Sequence, residues 1–377
     1  MSSADQVLIV GASTRAAAFS AVRAGLKPRC IDYFADRDLA ALCLVDRVAI
    51  EQGAAGLERA ALALETQSLF YTGPIENHPE LVERLAQRHH LCGNAAGTLR
   101  SVRDPRRVME ALRRHGLPAP DVRTSFDGLP RDSTWLIKPL ASGGGRSIRF
   151  LDQLPFSPGE PVHFQKWIDG PSFSALYVAS GGRAELLGVT RQLVGVPGSL
   201  FAYHGSIGPF PVSAWHSEAL GELGDCLASS FDLVGLFGVD YILRDEEPWT
   251  VEVNPRYTAS VEVLELALAR SLVAEHLRAC LAQPPVKSST TAHQSTSKVV
   301  GKAIIFASRP FVVPEVPFDD PRRRDPFAVP AIADVPWPAQ AWAGDPLMTV
   351  FATGADVETC ARRLAKIEEH WRRKLKA

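Results

Sequence analysis

The stretch Phe237–Ser260, FGVDYILRDEEPWTVEVNPRYTAS, governs the reading of the whole chain. Alternate residues of a strand share a face, so Val251 and Val253 are expected to turn to a core while Glu252, Asn254 and Arg256 line the opposite side. The run VDYIL before them alternates in the same way, and the turn-type residues Arg244 to Pro248 between the two runs predict an antiparallel hairpin with a longer loop. Pairing Leu243 with Trp249 sets Asp240 opposite Glu252. Cβ atoms at such positions lie about 4.5–5.5 Å apart and like charges repel, so a cation is expected between the two carboxylates. Mg2+ suits the place because it takes a few carboxylate oxygens and completes its octahedron with water and phosphate. Asn254 adds a neutral oxygen and Arg256 a fixed fork for a carboxylate or phosphate. The pattern alone leaves open a solvated hairpin face.

At 377 residues the chain is long enough for two or three domains, and 46% hydrophobic with 22% charged residues is the balance of a globular protein. Its net charge of −1 supplies no global draw to nucleic acid or to an anionic membrane, so neither is expected as a partner. The six cysteines are scattered without CxxC or Cys/His spacing, which predicts reduced thiols in a cytoplasmic protein. The opening MSSADQVLIVGAS lacks a cationic start, and its apolar run is too short for a signal peptide or membrane span, so no export is expected.

The order Asp240, then Glu252-Val-Asn254-Pro-Arg256, resembles the metal-binding end of the ATP-grasp superfamily, ligases that activate a carboxylate as an acyl phosphate. The resemblance extends over most of the chain. It implies a mixed α/β and α+β protein, with a doubly wound parallel sheet (the pre-ATP-grasp, Rossmann-like domain) over residues 1–100. The two ATP-grasp subdomains follow over 101–168 and 169–286, then a polar linker over 287–297 and a small C-terminal closing region over 298–377.

Along the first hundred residues, VLIV, PRCIDYF, DRVAI, SLFYTG and HLCGN read as strands with helices between some of them, a βαβ pattern. Gly11 after a strand and Asp32 about twenty residues on also suit a nicotinamide-dependent dehydrogenase. GASTRA, however, holds one glycine where that fingerprint wants three. Asp104-Pro105 is a helix start closed at Gly116. In TWLIKPLASGGGRSIRF two strands flank Gly143, Gly144 and Gly145, with Lys138 at the mouth of the first. Backbone N–H groups of such a loop approach an anion closely, and lysine is a mobile point charge for phosphate. Further on, Arg191 and Gln192 end a strand with polar reach toward phosphates or substrate. Phe201 to Phe210 is expected as a loop carrying His204, Ser217 to Phe231 and Val261 to Leu281 as helices, and MTVFATG as a last strand before a basic helix.

The resemblance assigns roles to these positions. It implies that Lys138, Ser142 and the three glycines hold the phosphates of ATP, and that Gln165, Lys166, Trp167 and Ile168 form the hinge that meets the adenine edge. Ser172 falls where many members carry a ribose-binding acid. Asp240, Glu252 and Asn254 would hold Mg2+, and Arg256 the acyl phosphate. The usual lysine near the first subdomain's start is missing, and Arg103 or Arg106 is the expected substitute. The function implied is a carboxylate-amine ligase. The chain is similar to a group of predicted carboligases related to biotin carboxylase, associated with methanopterin- or methanofuran-type one-carbon carriers, where glutamate is a plausible amine. A bicarbonate-using carboxylase, a non-catalytic nucleotide-binding module and a homodimer stay open.

Overall fold

The structure is a computed structural model that describes residues 6–153, 161–282, 298–323 and 325–375. The polar linker expected at 287–297 lies outside the described residues. Strands β1 (Gln6–Val10), β2 (Lys27–Asp32), β3 (Leu44–Arg47), β4 (Ser68–Tyr71) and β5 (His90–Leu91) form a parallel sheet in the order β3-β2-β1-β4-β5. Helices α1 (Arg15–Arg23), α2 (Arg37–Leu42), α3 (Gly53–Leu62) and α4 (Pro79–Arg88) alternate with these strands. Val7 to Val10 are fully buried, as a strand covered on both faces requires. Asp32 argues against the dinucleotide reading. Its carboxylate is 1% exposed and already accepts from Thr14 Oγ1 (2.8 Å), Phe34 N (2.6 Å) and Ala35 N (2.8 Å), which leaves it no role toward a ribose.

Helix α5 (Ala96–Val102) leads into α6 (Pro105–Arg114), which starts where the sequence predicts: Asp104 accepts from Arg106 N at 2.9 Å. A four-stranded antiparallel sheet follows, made of β6 (Val122–Arg123), β7 (Trp135–Pro139), β8 (Arg149–Phe150) and β9 (Val162–Lys166), in the order β6-β9-β7-β8. Next come β10 (Ser172–Ser180), β11 (Arg183–Val196), β12 (Ser199–Gly208), α7 (Ala214–Phe231), β13 (Gly235–Arg244), β14 (Glu247–Asn254), α8 (Ala259–Leu268) and α9 (Leu272–Cys280). The C-terminal part adds β15 (Val299–Phe306), the short strands β16 (Phe311–Val312), β17 (Ile332–Ala333) and β18 (Gln340–Ala341), then β19 (Pro346–Gly354) and α10 (Val357–Leu375). One eight-stranded sheet, β14-β13-β10-β11-β12-β15-β19-β17, therefore runs from the hairpin of interest into the C-terminal region.

Three expectations need correction. Phe201 to Gly208 is strand, not loop: its glycine Gly205 packs on Lys302 and Ala303 of β15, where a Cβ would come within 2.2 Å of the Lys302 carbonyl. The helix expected over 261–281 is two helices, broken where Ala269 turns left-handed (φ 50°) and Ser271 caps the next one. The hairpin loop is not five residues but two, Asp245 and Glu246, both at positive φ, and Leu243 pairs with Pro248 rather than Trp249. A bulge next to Asp240 takes up the one-residue difference, so Asp240 still faces Glu252.

Helix α7 covers one face of the large sheet, where Tyr177 stacks on Phe237 with ring centroids 4.9 Å apart, and both rings are fully buried. Each such side chain contributes about 1.5–3 kcal/mol by leaving water. A second core joins the N-terminal sheet to the large one: Val7, Ile9 and Phe70 pack with Leu176, Leu236, Val261 and Leu272. That core brings the ends of β1 and β4 to the tip of β14.

Candidate active site

The cleft is built on the bulged hairpin. Asp240 and Glu252 are direct cross-strand partners, as the sequence predicts. Val251, at the bulge, does not turn to the core as expected. It is half-buried and lines a cleft with Lys138, His163, Ser142, Gly143, Gly145, Arg103 and Glu252. Val253 is buried, in line with the alternation.

The two carboxylates are treated differently by their surroundings. Asp240 is held by neutral donors, Gln192 Nε2 at 3.0 Å and Asn254 Nδ2 at 3.2 Å, and burial together with the Glu252 charge raises its pKa to about 6. Burial alone would raise Glu252 too, but Arg103 and Lys138 outweigh it and hold its carboxyl below the usual range. Arg103 Nη1 donates to Glu252 Oε1 at 3.0 Å and to the Val253 carbonyl at 3.2 Å. Two carboxylates and an amide form a donor set that fits a hard divalent cation, and the shortage of positive charge at Asp240 is what such an ion relieves.

Lys138 reaches the same spot from β7. Its Nζ donates to the Val251 carbonyl at 2.9 Å and to Gln165 Oε1 at 3.3 Å, and desolvation lowers its pKa although Glu252 and Asp240 oppose the shift. Beside it, His163 is held near pKa 3 by burial and by the Lys138 charge, so it stays neutral. The glycine loop is docked rather than free. Tyr203 N donates to the Gly144 carbonyl at 2.9 Å, and a Cβ on Gly145 would lie 2.0 Å from the Phe201 carbonyl, so a side chain there would lift the loop off β12.

The remaining expected residues divide. Gln165 is buried on β9 with its oxygen toward Lys138, and Lys166, Trp167 and Ile168 continue to the start of β10; Trp167 packs edge-on against Phe150 and Phe201. Ser172 Oγ donates to Gln192 Oε1 at 2.6 Å, which ties it through Gln192 to Asp240. Arg191 is not brought to this group. Successive strand residues point to opposite faces, so with Gln192 on the cleft side Arg191 faces Glu358 of α10 at 3.6 Å. Neither residue ends its strand, since β11 runs on to Val196. His204 is a half-buried strand residue close to Glu368 and Arg372 of α10 and lies away from the cleft chemistry. Of the arginines near α6, Arg103 enters the cleft, while Arg106 pairs with Asp104 and Arg107 with Ser101 on the surface.

Arg256 is embedded: Nε donates to Glu76 Oε1 at 2.6 Å, Nη1 to the Tyr257 carbonyl at 3.0 Å and Nη2 to Asn254 Oδ1 at 3.1 Å. Glu76 and Asn77 were missed in the sequence. Their signal was positional, since GPIEN directly follows a parallel strand, and the carboxyl ends of such strands are where α/β sheets present ligand-binding groups.

The family described as ATP-grasp domain matches residues 102–260. An uncharacterized protein of Methanocaldococcus jannaschii is 23% identical over 195 residues, 48% of each chain, so the match spans about half of that relative. Among solved structures, the biotin carboxylase domain of Hydrogenobacter thermophilus 2-oxoglutarate carboxylase, in complex with MgADP, ADP and bicarbonate, aligns with TM-score 0.73 at 14% identity over 97% of this chain and 89% of its own. The L-amino acid ligase of Bacillus licheniformis aligns with TM-score 0.69 at 14% identity over 97% of both chains. N5-carboxyaminoimidazole ribonucleotide synthetase of Thermus thermophilus aligns with TM-score 0.65 at 15% identity over 96% of this chain and 98% of its own. Of these neighbours, the first is a complex with MgADP and the second is named a ligase. Residues 102–260 therefore match an ATP-grasp domain, and the chain shares the fold of these solved structures along nearly its whole length.

Proposed function

We propose that the protein is an ATP-dependent carboxylate-amine ligase that works through an acyl phosphate. The observation that carries this reading is the facing pair Asp240 and Glu252, with Asn254 beside it and Lys138, Arg103 and Arg256 around it. Three cations about one anion-binding cleft suit a polyphosphate and a developing acyl phosphate, and the protein's share of such chemistry is positioning and charge neutralisation. Lys138, Arg103 and the docked glycine loop would hold the β- and γ-phosphates. Asp240, Glu252 and Asn254 would hold Mg2+, which supplies charge neutralisation between the phosphates when bound. Gln165 to Ile168 would border the adenine, with Ser172 toward the ribose. Arg256 would orient the acid whose carboxylate oxygen attacks the γ-phosphate as ADP leaves; an amine would then attack the acyl carbon, phosphate would leave and the nitrogen would lose a proton to give the amide.

Glutamate as the amine and a one-carbon carrier of the methanopterin or methanofuran type as the product remain part of this reading. So do a cytoplasmic location and a homodimer; no helix among the described residues is long and apolar enough to cross a membrane. The similarity to a biotin carboxylase domain bound to bicarbonate favours one alternative, in which bicarbonate is the acid. A phosphate-release screen with Mg-ATP against small acids and amino acids, bicarbonate included, separates the two. Release that needs both an acid and an amine supports the ligase, release with bicarbonate alone transfers the chain to the carboxylase reading, and no release under any pairing removes both.

A further inference from the structure

The single turn Ile75–Asn77, at the carboxyl end of β4, touches both arginines of the cleft. Ile75 is fully buried in the core of the N-terminal sheet, which anchors the turn and fixes its next two residues. Glu76 Oε1 accepts from Arg256 Nε at 2.6 Å, and Asn77 Oδ1 accepts from Arg103 Nη2 at 2.9 Å. Glu76 is 1% exposed, a depth at which an acid is kept only by a close cation. Gly73, two residues before the turn, lies against the same guanidinium, where a Cβ would sit 3.2 Å from Arg256 Cζ.

The donor inventory shows what this grip does. A guanidinium has five N–H groups, and Arg256 spends one each from Nε, Nη1 and Nη2 on Glu76, Tyr257 and Asn254. One N–H is left on each terminal nitrogen, a two-pronged donor of the kind that suits a carboxylate or phosphate. Arg103 is held from the other side by Glu252 and the Ser142 carbonyl of the glycine loop, at 3.0 and 3.4 Å. Without the turn, Arg103 would keep only its partners on β14 and the glycine loop and Arg256 only Tyr257 and Asn254, and neither guanidinium would be fixed from the side of the N-terminal sheet.

Resting on the ligase reading above, we propose that Glu76 and Asn77 are positioning residues for the two halves of the reaction: Asn77 sets Arg103 for the nucleotide phosphates, and Glu76 sets Arg256 for the acyl phosphate. The N-terminal sheet thereby orients both arginines of a site whose other groups come from the ATP-grasp domain.

The test measures two ligands by calorimetry on the full chain: MgADP, and then acetyl phosphate added to protein saturated with MgADP. Asn77→Ala is expected to weaken MgADP about tenfold and to leave acetyl phosphate within about twofold, the scale of one hydrogen bond to a charged group. Glu76→Ala is expected to do the reverse, with Glu76→Gln recovering part of the loss because it keeps an acceptor. In an Arg103→Ala background, Asn77→Ala should cost MgADP affinity nothing more. If an alanine variant does not fold, Asn77→Ser and Glu76→Gln carry the same split at smaller size. Equal losses of both ligands in both variants, or no loss in either, overturn the proposal. A parent protein that binds neither ligand overturns the ligase reading itself, which keeps the two failures apart.

Discussion

Glu262 and Asp240 are both acids that the ATP-grasp half of the chain turns inward, and they meet opposite surroundings. Glu262, 2% exposed on α8, accepts from both terminal nitrogens of Arg15 and from Lys302 Nζ at 3.0 Å, and despite burial these cations hold its carboxyl far below the usual range. Arg15 in turn bonds Asp334 at 2.8 and 3.1 Å and lies 3.9 Å from Asp38, so the cluster ties the N-terminal sheet, α8 and the C-terminal region together. Asp240 has neutral donors and a facing carboxylate, and its pKa rises. A carboxylate gripped by two cations is a joint between parts of the fold. A carboxylate that meets neutral donors and a second acid beside a cleft is a place for something that arrives.

The largest effect that can break this contrast is at the joint. Glu262→Gln leaves Arg15 and Lys302 buried without their shared acid and should cost about 3–5 kcal/mol in denaturant unfolding at neutral pH. MgADP binding by the folded fraction should be unchanged. A loss below about 1 kcal/mol would make the joint no different from a surface pair.

A second seam between the same two sheets carries no charge, and pH should expose it. His276 accepts from Leu236 N at Nδ1 (2.9 Å) and, in the tautomer this implies, donates from Nε2 to the Cys92 carbonyl (3.1 Å); burial lowers its pKa to about 4. With the folded pKa depressed, the unfolded chain binds the proton more readily, so this contribution is complete above about pH 6.5 and fades as pH falls toward 4. The total is roughly 3 kcal/mol at 1.36 kcal/mol per pKa unit. Unfolding free energies of the parent and of His276→Gln should converge over that window. Parallel curves would remove His276 as the cause.

At the open cluster the effects belong to ligand binding. Lys138→Met removes a point charge whose burial is itself a cost, so the ligand-free protein should be as stable or more so, while Mg-ATP affinity drops by roughly 1.5–3 kcal/mol, the worth of a hydrogen bond to a charged group. Calorimetry with Mg-ATP checks this, and parental affinity would take Lys138 out of the site.

The smallest difference is the sharpest. Asp240→Asn relieves a repulsion and should leave the ligand-free protein within about 1 kcal/mol of the parent, whereas Glu252→Gln deprives Arg103 of its partner and should melt lower. Both should lose the stabilisation that Mg-ATP confers on the parent. Asp240→Asn melting below Glu252→Gln without ligand would reverse the assignment of which carboxylate waits for a cation.

Much of this was legible in the sequence because it is local. Alternation placed Asp240 opposite Glu252, and the result survived an error in the loop because the bulge offset it. The two mistakes had separate causes: Asp245 and Glu246 adopt the left-handed turn usually given to Asn-Gly, and nothing in the run EEPWTVEV marks a bulge. Arg191 and Gln192 are neighbours in sequence and equally polar, so only the pleat of β11, fixed by its pairing with β10 and β12, decides which of them reaches the cleft. The strand at Phe201 to Gly208 was hidden by its glycines, which serve close approach to β15 at Gly205 and to β11 at Gly208 and not a loop.

The sequence by itself picked out the groups proposed to carry chemistry, Lys138, the three glycines, Asp240, Glu252, Asn254 and Arg256, because each choice depends on residue type and on a spacing of a few positions. Tertiary structure alone decided which arginine near α6 reaches the cleft and what holds it. Arg103 meets Glu252 from 149 positions away and Arg256 meets Glu76 from 180. Pairings at that range depend on how the N-terminal sheet docks on the ATP-grasp sheet through the shared core of Ile9, Phe70, Leu176 and Val261, and docking follows from the shape of two folded surfaces, which no local pattern encodes.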